Sequence, residues 1–367
     1  IMSTFSTNPS TMVRAPGGTF SVTDATLNAG QVSSAASITR YYLSLNGSKD
    51  AGDVLLTGTR TVPALAAGAS HSGTVTVTIP ATTPLNNYVV LACADDTLVV
   101  TETVETNNCL AASGVAAVRV TRADLTETSA FTTPAAPVRA PGTTFSITDT
   151  AKNVGAVAST LSTTRYYLSL NQTKGAGDIL LTGARTVPAL AENLTSTAAV
   201  TVTIPSTTPV ATYFVLACAD DTSQVVETDE TNNCVASSSG QVVVTRPDLV
   251  AESVTPPPTS KARGTSFPVT DVVRNIGAVS SAASTTRYYL SLDTAKAAGD
   301  TLLTGSRAVP GLAAGATSSG TITVTIPSTT PVNTYLLLAC ADDLNTVVET
   351  AETNNCKASA TGVTVTP

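Results

Sequence analysis

The sequence predicts an all-β chain of three tandem Greek-key β-sandwiches in a rod, and three observations carry that expectation. The first is triplication. Arg40-Tyr41-Tyr42-Leu43-Ser44-Leu45 returns as Arg165-Tyr166-Tyr167-Leu168-Ser169-Leu170 and as Arg287-Tyr288-Tyr289-Leu290-Ser291-Leu292. The offsets of 125 and 122 residues are the size of a domain, well beyond the 20–50 residues of a solenoid repeat. The second is period-two alternation of β-branched residues, as in Thr74-Val75-Thr76-Val77-Thr78-Ile79 before Pro80, which marks half-buried strands. The third is turn punctuation every 8–12 residues with no helical period of useful length. The modules are expected at 1–121, 122–245 and 246–367.

Within one module the strands follow in order. Phe20-Ser21-Val22-Thr23 alternates, with Phe20 and Val22 inward. Asn28-Ala29-Gly30 then turns the chain. Tyr41-Tyr42-Leu43-Ser44-Leu45 is the next strand, and its consecutive tyrosines place one ring on each face. Gly52-Asp53 and Gly58 interrupt, and Pro63, Gly68 and Gly73 precede the alternating run 74–79. Tyr88-Val89-Val90-Leu91-Ala92-Cys93 is more continuously apolar, as a central strand is. Val115 to Thr121 closes the module. At the joints, Val120-Thr121 runs into Arg122-Ala123-Asp124-Leu125, and Val244-Thr245 into Arg246-Pro247-Asp248-Leu249, with no Gly/Ser linker. Such joints restrict bending. Pro134, Pro137 and Pro256-Pro257-Pro258 lie early in their modules, where proline suits edge strands.

Composition narrows the function. The net charge of −7 argues against nucleic acid as a partner, since its readers carry basic patches. No apolar run approaches the ~20 residues of a membrane-spanning helix, and no signal peptide is visible. Six cysteines form three pairs, Cys93/Cys109, Cys218/Cys234 and Cys340/Cys356, each 16 residues apart. One disulfide per module is expected. Zinc lacks ligands, because there is no Cys-x-x-Cys and His71 is the single histidine. Disulfides place the chain in an oxidising compartment, and each would stabilise its module by ~3 kcal/mol in the chain-entropy view.

Several of these motifs resemble the CARDB family, the cell-adhesion-related domain of bacterial surface proteins. The matching residues are the opening Asp-Leu (Asp124-Leu125, Asp248-Leu249), the Asn-x-Gly at Asn28, Asn153 and Asn275, the Tyr-Tyr-Leu-Ser strand, and the leucine before Gly68. The most specific is the ending Glu-Thr-x-Glu-Thr-Asn-Asn, at Glu102–Asn108, Glu227–Asn233 and Glu349–Asn355. The resemblance spans nearly the whole chain. It implies immunoglobulin-like sandwiches on a secreted or surface protein, and it implies no reaction. The first module lacks the Asp-Leu start, and the cysteine pair is not a general family feature.

The acidic hairpins are the chemical candidates: Asp95, Asp96, Glu102 and Glu105; Asp220, Asp221, Glu227 and Glu230; Asp342, Asp343, Glu349 and Glu352. Oxygen clusters suit calcium, but no Asp-x-Asp-x-Asp-Gly loop is present. Short acidic side chains also cap turns through backbone amides, and Glu102 or Glu105 is placed to pair with Arg40 across the sheet. The structural reading is preferred; no metal or cofactor is expected, with calcium the alternative. The loop Asn46–Asp53 and its copies Asn171–Asp178 and Asp293–Asp300 carry Lys49, Lys174 and Lys296, which would repel a cation, so these read as plain turns. His71 reads as a surface histidine, without the acid and oxyanion hole of a triad. Asn46, Asn171 and Asn193 begin N-glycosylation sequons. No catalytic residues are expected.

The leading expectation is therefore an extracellular structural or adhesive protein, its copies joined end to end in a filament and touching cell-surface or matrix components. The alternative is a multivalent array for surface glycan or calcium-dependent adhesion, accessory to another protein. One outward tyrosine per module is slight support for glycan. The repeat phase of the two ends is complementary, and a short first strand would leave a sheet edge open to another chain.

Overall fold

The computed structural model describes residues 1–112 and 117–367. Module 1 contains β1 (Met2–Asn8), β2 (Met12–Arg14), β3 (Thr19–Leu27), β4 (Ser37–Ser44) and β5 (Val54–Leu55). It continues with β6 (Arg60–Val62), β7 (Ser70–Thr78), β8 (Asn86–Cys93), β9 (Cys109–Ala111) and β10 (Ala117–Val120). Of the expected closing strand, residues 113–116 lie outside the described residues. One sheet has the order β1-β3-β7. The other runs β2-β10-β8-β4-β5, with β6 beside β4 and β9 beside β8. The chain switches sheets between β1 and β2, and β2 then pairs with β10 in the parallel sense. The other ladders of the module are antiparallel. This is the immunoglobulin-like arrangement of two facing sheets.

Modules 2 and 3 repeat it. Where module 1 has β5 and β6, they have one continuous strand, Ile179–Val187 and Thr301–Val309. That strand crosses from one sheet to the other, touching the β7 counterpart at Thr182↔Thr203 and Thr304↔Thr325. A glycine marks each crossing. Gly58, Gly183 and Gly305 have φ of 119°, 130° and 120°, and a Cβ on Gly58 would lie 2.9 Å from the Thr76 carbonyl oxygen. The positive φ and the close backbone both require glycine.

Alternation decides the core. Phe20 and Val22 of β3 face inward as expected, against Tyr41, Leu43, Tyr88 and Val90 of the opposite sheet. Phe5 of β1 stacks on Tyr41 with ring centroids 6.2 Å apart. The central position expected for 88–93 holds, since β8 is flanked by β4, β9 and β10. Two expectations fail. Leu45 lies past the end of β4 and is exposed. Neither tyrosine is presented to solvent as a ring: Tyr41 is 0% and Tyr42 7% exposed. The expected outward tyrosine is therefore covered, for a reason given below.

The first strand is not short, although β1 does stand at the edge of its sheet. β1 is seven residues long and runs along β3 from Met2↔Thr26 to Asn8↔Ser21. The Ile1 amino group donates to the Leu27 carbonyl. At the other end, Cys356–Thr366 pairs with strands Thr334–Cys340 and Ser260–Ala262. Both terminal segments are thus ordered by their own modules.

The two sheets are clamped by a buried ion pair. In module 1, Asp24 follows Phe20 and Val22 in inward parity on β3 and is 0% exposed. Arg60 of β6 donates its Nε to Asp24 at 3.0 and 2.9 Å, and the Tyr41 hydroxyl of β4 donates at 2.6 Å. The same clamp is Asp149–Arg185–Tyr166 and Asp271–Arg307–Tyr288. Burial, then Asp24, Asp149 or Asp271, raises each phenol far above the ordinary tyrosine range. His71 is part of this network: its Nδ1 accepts from Arg60 Nη1 at 2.7 Å, the place that Ser196 and Ser318 take beside Arg185 and Arg307. It is half-buried rather than a plain surface residue.

Removing one member of a buried pair strands the other charge, which costs about 3–5 kcal/mol. Arg307→Met should therefore lower the unfolding free energy of module 3 by about that amount, read by calorimetry of the full chain. A loss below about 1 kcal/mol, the scale of a surface pair, would contradict the clamp.

Candidate functional site

Each acidic hairpin is the loop that joins β8 to β9 or their counterparts. A disulfide closes its neck: Cys93–Cys109, Cys218–Cys234 and Cys340–Cys356, each at facing ladder positions. The pairing matches the expectation from spacing.

Inside the loop the carboxylates point to different tasks. Asp95 sits at φ 43°. Its carboxylate accepts from the Val99 and Val100 amides at 3.1 and 2.8 Å. Asp220 accepts from Gln224 and Val225, and Asp342 from Thr346 and Val347. Glu105, Glu230 and Glu352 accept from the amides of Glu102, Glu227 and Glu349 at 2.8, 2.9 and 2.8 Å. These are turn caps.

Asp96 has a different role, and the lysine-bearing loop explains it. The Tyr42 hydroxyl donates to Asp96 at 2.5 Å and Lys49 Nζ at 3.0 Å, while Lys49 lies 4.1 Å from the centroid of the Tyr42 ring. Lys174–Asp221–Tyr167 and Lys296–Asp343–Tyr289 repeat the arrangement, with the ammonium 4.9 Å from each ring centroid. Burial draws the Lys174 pKa down, but the Asp221 carboxylate outweighs it and the net shift is upward. The loop is therefore not the plain turn expected. Its lysine reaches across to neutralise the hairpin and roofs the outward tyrosine by a cation–π contact. The expected Arg40 pairing also changes partner: Arg40 lies 3.6 Å from Asp96, rather than against Glu102 or Glu105.

The remaining acid, Glu102 in module 1, is half-buried, whereas Glu227 and Glu349 are 3% and 4% exposed. Burial pushes these two up to about 7. They hold the strand that opens the module. Glu349 accepts from the Leu249 amide at 2.7 Å, and Asn233 Nδ2 donates to Glu227 at 2.8 Å. The opening Asp-Leu is latched on all sides. The Asp124 amide donates to Asn153 Oδ1 at 3.1 Å, the Asp124 carbonyl accepts from Val154 N at 2.7 Å, and Asn232 Nδ2 donates to the Asp124 carboxylate at 2.9 Å. Thr228 N donates to the Ala123 carbonyl at 2.9 Å. Gly155 makes this possible, because a Cβ there would lie 2.5 Å from the Asp124 nitrogen. Asp248-Leu249 is held the same way by Asn275, Ile276, Asn354 and Thr350.

Module 2 has a further buried acid, Glu127, which the sequence reading did not single out. It stands where module 1 has Met2 and module 3 has Ala251. Thr164 donates to it at 2.9 Å. Burial, and next the Asp149 charge, push it up to about 8. The Asp–Arg–Tyr clamps were also missed. Their signal was legible: Asp24 shares the parity of Phe20 and Val22, and Asp, Arg and Tyr all return at the repeat offsets.

Among the described residues, no three His, Cys, Asp or Glu side chains gather as a metal site requires. Among the described residues, no helix is long and apolar enough to cross a membrane.

Three repeated immunoglobulin-like modules, each with a Glu-Thr-x-Glu-Thr-Asn-Asn hairpin and the second and third with an Asp-Leu latch, define a tandem-repeat class. The CARDB family matches residues 6–112, 122–237 and 246–359, and the chain belongs to it. Among solved structures, it is similar to the CARDB domain of a Pyrococcus furiosus protein, crystallised in complex with di-metal ions. The identity is 24%, covering 33% of this chain and 90% of that one, with a TM-score of 0.25. It is also similar to a domain from Methanosarcina acetivorans described as a candidate cell surface protein. There the identity is 22%, over 32% of this chain and 92% of that one, with a TM-score of 0.24. No curated protein matches the chain.

Two predictions follow from the hairpin chemistry. Acids with a raised folded pKa hold a proton that the unfolded chain has already released, so stability falls as pH rises from about 4.5 to about 8. Glu227 and Glu349 should each contribute up to about 3 kcal/mol to that fall, and Glu127 up to about 5 kcal/mol. Melting temperatures should drop between pH 5 and pH 8.5, and Glu127→Gln should remove the Glu127 share of the module 2 drop while leaving that of Glu227. A profile that is flat or rises over this window would contradict the assignment. With Asp96, Asp221 and Asp343 already neutralised by lysine, added calcium or a chelator should move the melting temperature by less than about 1 °C; a specific ligand would shift it by mass action. A reversible shift of many degrees would show that the hairpins take calcium after all.

Proposed function

We propose that the chain is an extracellular structural or adhesive protein of a bacterial surface, whose copies join end to end into a filament. The observation that carries this reading is that each module turns its charged chemistry inward. The clamp carboxylates serve Arg and Tyr, the hairpin carboxylates serve backbone amides and lysine, and a disulfide closes each hairpin neck. Such modules are suited to bearing load and setting distance. The short joints support limited bending: only residues 121–124 and 245–248 separate the last strand of one module from the first of the next. Three disulfides support an oxidising, extracellular setting. Enzymatic activity forms no part of this reading.

Head-to-tail contact between different surfaces makes a filament when it does not close into a ring. Electron microscopy and sedimentation of purified native material test it. Filaments with a subunit repeat are expected; a monomer at all concentrations and in native extracts would sink the proposal.

A further inference from the structure

The direction in which the first and last segments of a module pair decides how the module bears tension along the chain. In module 2, two of the pairings that join its opening to its end are parallel. The entering chain bridges Ala123 to Glu227 in the parallel sense. Val138–Arg139 pairs with Val243–Val244, also in the parallel sense. There Val243 N donates to the Pro137 carbonyl at 3.0 Å, and Thr245 N to the Arg139 carbonyl at 2.9 Å. Module 3 pairs Ser260–Ala262 with Thr364–Thr366 in parallel, and module 1 pairs β2 with β10 in parallel.

In a parallel pair, the N-terminal end of one strand and the C-terminal end of the other lie at opposite ends of the ladder. Tension drawn through the chain therefore slides the first segment along the last and loads their bonds together. An antiparallel pair of first and last strands would be loaded at one end and would open bond by bond. Single hydrogen bonds are weak, so it is the simultaneous loading that gives resistance. The strand Leu125–Thr133 is drawn along its own axis in the same way, held by its ladder to Ser146–Asn153.

The hairpin is the anchor at the entering end. Thr228 N holds the Ala123 carbonyl and Asn232 Nδ2 holds the Asp124 carboxylate, both at 2.9 Å. Both donors lie between Cys218 and Cys234, whose disulfide ties the hairpin to the strand Ala211–Cys218. In module 3, Thr350 and Asn354 hold Pro247 and Asp248 from between Cys340 and Cys356. A loop with covalently joined ends cannot be drawn out when the segment it holds is pulled.

We infer that modules 2 and 3 are shear locks. Tension enters on the disulfide-closed hairpin and leaves through the last strand, and the module opens only when the parallel pairs slide apart together. When the lock gives way, the disulfide still withholds the chain between its cysteines, 16 positions apart. The lock belongs to the single module; only its use in a load-bearing assembly rests on the reading proposed above.

Pulling the full oxidised chain by its two ends at constant force tests the lock, because forced opening reports the unfolding barrier. Stepwise opening of whole modules is expected. A strand residue turns its N–H and C=O to the same neighbour, so Val243→Pro removes the bond to Pro137 and spares the ladder to Ala211–Tyr213. One module's lifetime under load should shorten about fivefold. Thr364→Pro, which removes the bond to the Thr259 carbonyl, makes the same change in module 3. Arg185→Met breaks the module 2 clamp away from the terminal pairs. It should lower the melting temperature more than Val243→Pro does, yet leave the lifetime under load within about twofold of the wild type. A thiol reductant added to the opened chain should release about 50 Å more per module, the length of the withheld residues. Wild-type lifetimes in both proline variants, or a lifetime shortened as much by Arg185→Met as by Val243→Pro, would place the barrier elsewhere and overturn the inference. So would the absence of a further step on reduction. A lock that holds in a chain sedimenting as a monomer would support the inference and defeat the filament reading.

Discussion

The structure depends on a carboxylate placed where a strand should bury a hydrocarbon. Asp24, Asp149 and Asp271 are fully buried on the inner face of one sheet, and each receives Arg and Tyr donors from the other sheet. An isolated buried charge is among the costliest features a fold can carry. Once paired and hydrogen-bonded it becomes directional, which apolar packing is not. It fixes how β3 faces β4 and β6. In antibody domains an inter-sheet disulfide and a tryptophan do this. This chain has no tryptophan, and its disulfides lie within one sheet.

That displacement frees the cysteines for a local task. A hairpin rich in acids and asparagine, its two cysteines 16 positions apart, would fray if left open. The disulfide closes its neck, Asp95 and Glu105 cap its turns, and Lys49 crosses from the neighbouring loop to Asp96. The same lysine shields Tyr42, so one side chain both neutralises the acid and covers the ring. An exposed lysine–carboxylate pair is worth little. Here the Asp96, Asp221 and Asp343 side chains are 8%, 1% and 1% exposed, so the pair acts in a less screened setting and orders two loops at once.

The ordered hairpin then supports the start of the module. Its backbone and its glutamate receive the Asp-Leu segment in modules 2 and 3. Clamp, hairpin and latch are thus successive layers: the clamp sets the sheets, the sheets set the hairpin, and the hairpin sets the opening strand. Module 1 shares the first two layers.

Sequence alone determined the repeat, the central place of the strand at 88–93, the inward parity of Phe20 and Val22, and the partners of all six cysteines. Each follows from local periodicity or identical spacing, which survives without knowledge of the fold. The turn-capping of Asp95 was legible for the same reason, since its backbone donors are met within five residues. Tertiary structure decided everything that joins distant segments. Lys49 and Asp96 are 47 residues apart, and Arg60 and Asp24 are 36 apart. A lysine in a turn looks like a solvated charge until the neighbouring loop is placed beside it. Tyr42 looks outward by parity, and it is outward, but the face it occupies is roofed. Glu127 and Glu227 have the same composition as any surface acid; only the depth at which the fold sets them raises their pKa. The sequence carries the period of the structure because period is local. It does not display the charge pairing, because a charge finds its partner through space.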